Sequence, residues 1–474
     1  MITTKDSVRR LKSMTDHNFN MLLESQRNYF ASGVTLPASF RIGQLKKLKS
    51  LIEKNESDIT HAMKMDLNRS RTESVISEIL LVTEEIDFII KNLHRWIRPK
   101  RVHSIFPLCW PGRSVVRYEP YGSVLILGPW NYPFMLIMSP LIGAICAGNC
   151  AIVKPSEIAV HTQEVICRLI SENFPSDYIA AVKGDHLVAQ KLLEEKFDYV
   201  FFTGGTQVAK IIMQAAAAHL TPVTLELGGK SPCIVDETAN IDFAARRITR
   251  SKFLNAGQVC LAPDFLMVHQ SRKDELIGKL ISTIRRFYGD DPLQSQDYCR
   301  IINQKHFDRI SALMRAGRII FGGSTRRSDL YISPTLMDQI SWDAPVMQEE
   351  IFGPLLPIIT FQNTQEVIQA IKAQPKPLAL YLFTNNPETE HEILTRLSFG
   401  GGCINDCVMH ITNYHLPFGG VGPSGLGFYH GQYSFKTFSH SKSIFKKTLP
   451  IDVGLEYPPY SDHKLKWLRR LIKL

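Results

Sequence analysis

Short apolar runs rich in β-branched residues alternate with helical patterns through the middle of this chain, and that alternation constrains its fold more than any other feature. The first runs are residues 124–127, 150–153, 178–182 and 199–202, with one helical stretch after Pro133 and another through Ile170. Buried strands separated by helices predict βαβ units around a parallel sheet. A second series begins near Ser231-Pro-Cys-Ile-Val-Asp and continues through residues 265–268, 318–321 and 354–361. Two α/β domains in succession are therefore expected.

The flanking segments read differently. Residues 1–100 carry apolar positions at helical spacing, Leu45, Leu48, Leu51, Ile52 and Ile59, then Ile76, Ile79, Leu80, Val82 and Ile86, which predicts a mainly helical opening. The register changes at Arg113, where SVVRYEPYGSVLIL places β-branched and aromatic residues around a Pro-Tyr-Gly turn. After about His415 the sequence LPFGGVGPSGLGFYHG is too rich in glycine for a long helix and predicts an extended arm. The longest apolar run, PFMLIMSPLIGAICAG, is broken by proline and serine and too short to cross a bilayer, so it reads as a buried helix.

At 474 residues the chain exceeds what one hydrophobic core organises. Its formal charge of +10 is dispersed, which argues against a nucleic-acid partner. The exception is the tail, where Lys464, Lys466, Arg469, Arg470 and Lys473 interleave with Leu465, Trp467, Leu468, Leu471 and Ile472. Nine cysteines without CxxC pairs resemble neither a disulfide framework nor a zinc site, and MITTKDSVRRLKSM lacks the apolar core of a secretory signal. No metal and a cytoplasmic location are expected.

Chemistry concentrates in three places. DYVFFTGGTQVAKIIMQAAAA reads as a buried strand, a turn at Gly204-Gly205-Thr206 and a helix, an arrangement in which helix N–H groups can meet a phosphate. Taken alone it is equally a tight βα turn that binds nothing. Downstream, Glu226 in TLELGGKSP and Cys260 in FLNAGQVCLAPD each sit beside glycines that permit close backbone approach, a candidate base and a candidate nucleophile. A lone cysteine among apolar residues is more often an inert thiol.

The coincidence of motifs decides the matter. Pro129-Trp130-Asn131-Tyr132-Pro133, Lys154-Pro155-Ser156-Glu157, Phe202-Thr203-Gly204-Gly205-Thr206, Glu226-Leu227-Gly228-Gly229-Lys230, Asn255-Ala256-Gly257-Gln258-Val259-Cys260, Glu350-Ile351-Phe352-Gly353-Pro354 and Pro417-Phe418-Gly419-Gly420 follow in order. In this the sequence resembles the aldehyde dehydrogenases, and FASGVTLPASFRIGQLKKL with YHGQYSFKTFSHSKS resembles their class 3 branch. The resemblance implies a Rossmann-like NAD(P)-binding domain over residues 1–227, with a strand excursion at about 104–122. It further implies a catalytic domain over 228–414, an oligomerisation arm with the tail over 415–474, and a homodimer. By the same resemblance Cys260 is the nucleophile, Glu226 the general base and Asn131 an oxyanion donor. Lys154 and Glu157 lie near the adenosine ribose, Gly205 and Thr206 beside the pyrophosphate, Glu350 on the nicotinamide ribose and Phe352 against its ring. The cofactor implied is NAD, with NADP also accepted, and the substrates are medium- or long-chain aliphatic or aromatic aldehydes oxidised to carboxylates.

One departure is Ala209, where many relatives carry glycine, which is expected to narrow the space for the diphosphate while still letting the cofactor bind. Two other functions compete: a CoA-acylating dehydrogenase, which has no need of Glu226, and a non-catalytic protein keeping the fold, against which Cys260 and Glu226 both stand. The tail HKLKWLRRLIKL predicts a basic amphipathic helix, either docked on protein or lying at an anionic membrane surface.

Overall fold

The computed structural model describes residues 16–106, 109–448, 454 and 457–472, so the first fifteen residues and Lys473 of the tail lie outside the described part. The opening is helical, with Asp16–Ala31, Ala38–Lys54, Glu56–Leu67, Arg71–Ser74 and Leu80–Trp96. Leu45, Leu48, Ile52, Ile59, Ile79, Val82 and Ile86 are buried, as the spacing predicts, but Ile76 and Leu80 are exposed. The reason is a π-helical turn at Val75–Ile79, which inserts a residue into the helical phase and turns Glu78 inward in their place.

Two sheets form the body. The first has the order Gly425–Leu426, Val223–Glu226, Tyr199–Thr203, Ser123–Leu127, Cys150–Lys154 and Ile179–Ala181. All its neighbours are parallel except Gly425–Leu426 on Val223–Glu226. Four of its strands were legible as apolar runs; the turn after each supplies the helix that covers it, as in Met135–Ala147, every residue of which is buried. The second sheet has the order Arg318–Phe321, Thr335–Asp338, Leu355–Phe361, Phe265–His269, Pro232–Val235, Ala379–Phe383 and Gly401–Ile404. It is parallel apart from the edge strand Arg318–Phe321. Thr335–Asp338, Ala379–Phe383 and Gly401–Ile404 had not been expected.

The glycine-rich segment after His415 is extended but does not simply leave the body. Gly425–Leu426 joins the first sheet, and Tyr429 and Phe438 pack on Phe201 with ring centroids 5.0 and 5.7 Å away. The chain then forms Ser439–Lys447, which pairs along its whole length with Gly112–Pro120. With Lys100–Val102 they make a third, three-stranded sheet. The tail is helical over Asp462–Ile472, and none of its described residues is buried. Among the described residues no helix is long and apolar enough to cross a membrane.

Candidate active site

In the first sheet, Ser123–Leu127 and Tyr199–Thr203 are hydrogen-bonded neighbours, yet the chain leaves them toward opposite edges. Their carboxyl ends therefore part and open a crevice, the usual ligand position in such sheets. A cleft of about 390 Å³ lies there, bordered by Trp130 and Asn131 after the first strand and by Gly204, Gly205 and Thr206 after the second. Cys260, Glu226, Asn131, Gly205, Thr206, Glu350 and Phe352, seven of the nine expected residues, line it together.

One end suits a diphosphate. A Cβ at Gly205 would meet nothing within 4 Å, so this glycine borders open space. The helix Thr206–Ala217 begins beside it with no side-chain cap, and its first-turn residues Thr206, Gln207 and Val208 line the cleft. Uncapped N–H groups and the positive end of the helix dipole attract an anion. Ala209 does not narrow this space: it is buried beneath the helix with Ile212 and Leu225, so the expected obstruction is corrected. Its methyl points into the core because it lies on the sheet-facing side of the helix.

Lys154 and Glu157 do not line this cleft. Lys154 ends the strand next to Ser123–Leu127, and its Nζ donates to Glu157 Oε2 at 2.7 Å. The two form an ion pair one strand beyond the crevice.

At the other end, Glu350 is half-buried with its Oε1 buried and unpartnered, and desolvation pushes its pKa up to about 8. A Cβ on Gly228 would collide with its Oε2, so the ELGG turn needs glycine to let this carboxylate in. The loop that carries Glu350 is clamped by the lysine of the same motif. Lys230 Nζ pairs with Asp264 and donates to the carbonyls of Val346 and Glu349 at 2.8 and 3.0 Å, while Asp264 accepts Ile351 N–H at 3.0 Å. Phe352 holds a left-handed φ of 49° and meets Trp130 edge to face at 5.2 Å. The carboxylate and hydroxyl groups left unpartnered at this end, Glu350, Glu226 and Thr203, and the uncapped helix at the other, fit a dinucleotide lying along the cleft.

Cys260 follows three consecutive left-handed residues, Asn255 (φ 50°), Ala256 (51°) and Gly257 (76°). Such strain persists only where surroundings enforce it. The enforcement is visible: Asn255 N–H donates to Glu73 at 2.9 Å, and Asn255 Nδ2 donates to the carbonyls of Asn131 and Gln258 at 3.0 and 3.1 Å. Asn131 Nδ2 also donates to Gln258 O at 3.1 Å, which leaves its second N–H for another acceptor. Arg69 Nη2 reaches Asn131 O at 2.5 Å while Arg69 pairs with Glu78, whose other oxygen accepts Phe134 and Met135 N–H at 2.8 and 2.9 Å.

Electrostatically the site holds back its charges. Burial, helped by the nearby Glu226 and Glu350, raises the Cys260 thiol well above its usual pKa. Burial also pushes Glu226 up to about 7, against the lowering effect of its neighbours Cys260 and Thr203, and neither of its oxygens is hydrogen-bonded. A base poised near neutrality beside a neutral thiol can take the thiol proton or activate a water.

Sequence reasoning missed Arg69, Glu73 and Glu78, which bind no motif to another in the primary structure. Asn255, Gln258 and Lys230 lay within motifs already noted and could have been read as their scaffolding.

The model of the Aldehyde dehydrogenase family matches residues 3–444. The 4,4'-diaponeurosporen-aldehyde dehydrogenase of Staphylococcus aureus (strain NCTC 8325 / PS 47) is 48% identical over 447 residues, 94% of this chain and 97% of that protein. Aldehyde dehydrogenase family 3 member B3 of Mus musculus is 43% identical over 470 residues, covering 99% and 98%. A solved structure described as the substrate-bound state of Staphylococcus aureus AldH superposes with a TM-score of 0.92 at 47% identity, covering 95% of this chain and 98% of that one.

Proposed function

The chain belongs to the aldehyde dehydrogenase family, and from that premise we propose that Cys260 is its nucleophile, Glu226 its general base and Asn131 an oxyanion donor. The protein is an NAD(P)-dependent oxidoreductase that converts aldehydes to carboxylates. The observation that carries the residue roles is the buried, unpartnered Glu226 carboxylate beside the Cys260 thiol in one cleft.

Glu226 accepts the thiol proton as sulfur adds to the aldehyde carbon. The resulting oxyanion is met by the free N–H of the Asn131 amide and by the backbone N–H of Cys260. The bound dinucleotide supplies the hydride acceptor. Glu226 releases that proton to solvent and then draws one from a water that attacks the thioester; the Cys260 thiolate leaves as the carboxylate product forms and takes the proton back from Glu226. A thiol acceptor such as CoA would need no such base, so Glu226 favours hydrolysis.

Thr206 and Gly205 would hold the diphosphate, Glu350 the nicotinamide ribose and Phe352 the face of the ring, with Lys154 and Glu157 toward the adenosine ribose. A carboxylate there favours NAD over NADP, but its ion pair with Lys154 offsets the repulsion of a 2′-phosphate, so both are accepted. We read the substrates as medium- or long-chain aliphatic or aromatic aldehydes. An aldehyde panel followed by NAD(P)H absorbance tests this: turnover with either cofactor is expected, and its absence from every aldehyde overturns the assignment.

The arm supports a homodimer. Its three-stranded sheet leaves Ile444, Phe445 and Val102 exposed, an apolar surface that a second copy would cover. Nine free cysteines suit a reducing cytoplasm. The tail helix exposes Leu465, Trp467 and Ile472 beside its lysines and arginines, which supports peripheral contact with an anionic membrane surface.

A further inference from the structure

The cleft given to the dinucleotide leaves the aldehyde in need of another approach to Cys260. A second cavity, about 520 Å³, is separated from the cleft by the loop between Leu254 and Cys260: Leu254 lines the cavity and Cys260 lines the cleft. Ile76, Leu81, Tyr288 and Ile411 give it apolar walls. The exposure of Ile76, which the π-helical turn produces, is thus an exposure into this cavity. Its size and lining are those of a small-molecule site.

Its rim is cationic. Arg250, in the last turn of the helix Ile241–Phe253, places Nη1 3.4 Å from the Met409 sulfur, and Arg286, near the end of Lys273–Tyr288, lies 5.3 Å over the Phe287 ring. Their neighbours Arg247, Lys279 and Arg285 pair with Asp406, Asp242 and Asp290. Among the described residues Arg250 and Arg286 have no such carboxylate. Arg286 also borders a shallow notch that contains Arg246, which extends the positive rim outward. Two acids face the cavity. Glu73 is half-buried, already accepts Asn255 N–H, and has its pKa raised by desolvation; Asp297 is exposed at the rim and offsets one cation.

Resting on the assignment of Cys260 and on entry of the aldehyde through this cavity, we propose that Arg250 and Arg286 bind an anionic group, carboxylate or phosphate, at the far end of the aldehyde's chain. The preferred substrates are then long-chain aldehydes with a charged terminus. The apolar walls take the methylenes, while the terminal anion stays at the wet rim where guanidinium groups can fork onto it. Exposed ion pairs are individually weak, so two arginines acting together correspond to about a tenfold effect.

The test compares decanal, 10-oxodecanoate and propanal as substrates of the full chain, of the double variant Arg250→Gln/Arg286→Gln, and of Leu254→Trp. The double variant should raise KM for 10-oxodecanoate about tenfold, leave its kcat, and leave decanal unchanged. High salt should narrow the preference of the parent protein in the same way. Leu254→Trp should lower kcat/KM for both long aldehydes and spare propanal. Equal effects of the double variant on decanal and 10-oxodecanoate, or no effect on either, would overturn the anion site. A normal response of Leu254→Trp to decanal would overturn the route. If the parent protein oxidises none of the three, the reading of Cys260 fails first and this one with it.

Discussion

At the scale of single residues, Glu226 joins chemistry to stability. Its pKa is raised by burial, so the folded chain holds a proton there that the unfolded chain releases near the ordinary carboxylate value. The stability this contributes is complete below about pH 4.5 and is lost as pH rises through about 7. Glu226→Gln removes the buried charge. The variant should therefore exceed the parent in stability at pH 8 by on the order of 3 kcal/mol, with the difference vanishing in acid, as denaturant titrations at the two pH values would show. Its steady turnover should fall at least about 100-fold, and the pre-steady-state burst of NADH should slow as well, because the same carboxylate takes the thiol proton before hydride leaves. In the parent, turnover limited by deacylation should rise with pH through about 7, because only the ionised carboxylate accepts a proton. Cys260→Ser should fold and bind cofactor, seen as quenching of protein fluorescence on NAD addition, yet show no turnover, since a serine hydroxyl beside the same base is far less acidic than a thiol. Near-normal activity in that variant would remove Cys260 from its role.

At the scale of elements, the π-helical turn Val75–Ile79 does what a regular helix could not. It turns Glu78 into the core, where the carboxylate ties Arg69 to the start of Met135–Ala147, and Arg69 in turn holds the carbonyl of Asn131. Two helices and the oxyanion loop are joined by one buried pair. Removing one member strands the other, a loss typically of about 3–5 kcal/mol. Glu78→Gln should therefore lower the unfolding midpoint, and by loosening Asn131 it should depress kcat more than KM. A variant with normal kcat would show that the oxyanion loop is held by Asn255 and Gln258 alone.

At the scale of the whole molecule, the strand Gly112–Pro120 and the strand Ser439–Lys447 come from distant parts of the chain and meet in the small third sheet. The tail helix follows it, and none of its described residues is buried. Co-sedimentation with anionic vesicles, for the full chain and for one truncated after Asp462, checks the membrane role: the full chain should sediment at low salt and be released at high salt, and the truncated chain should stay in solution. Equal sedimentation of the two would exclude that role for the tail. Analytical ultracentrifugation should show a dimer that Phe445→Lys weakens, because a charge on that strand opposes burial against a second copy.

What the sequence determined by itself is what local pattern and local chemistry can carry. Apolar runs such as Tyr199–Thr203 are buried on both faces whatever surrounds them, glycines such as Gly205 and Gly228 are required wherever backbone must approach a ligand or a carboxylate, and Cys260 and Glu226 stood out because their motifs sit beside such glycines. The order of the seven motifs also pointed to a family, and five of them meet at one cleft. What only the tertiary structure decided depends on contacts between distant segments. The phase shift at Val75–Ile79 is invisible to a periodicity of 3.6, so Ile76 and Leu80 looked like core. Gly401–Ile404 and Ala379–Phe383 became strands by pairing with neighbours that propensity alone does not name. Ala209 turned inward because the helix rotation is set by the sheet beneath it. The Arg69–Glu78 pair, the clamp of Lys230 and Asp264 on Glu350, and the unpaired Arg250 and Arg286 around a second cavity exist only once the chain has folded, because the partners that hold or fail to neutralise them are separated in sequence and adjacent only in space.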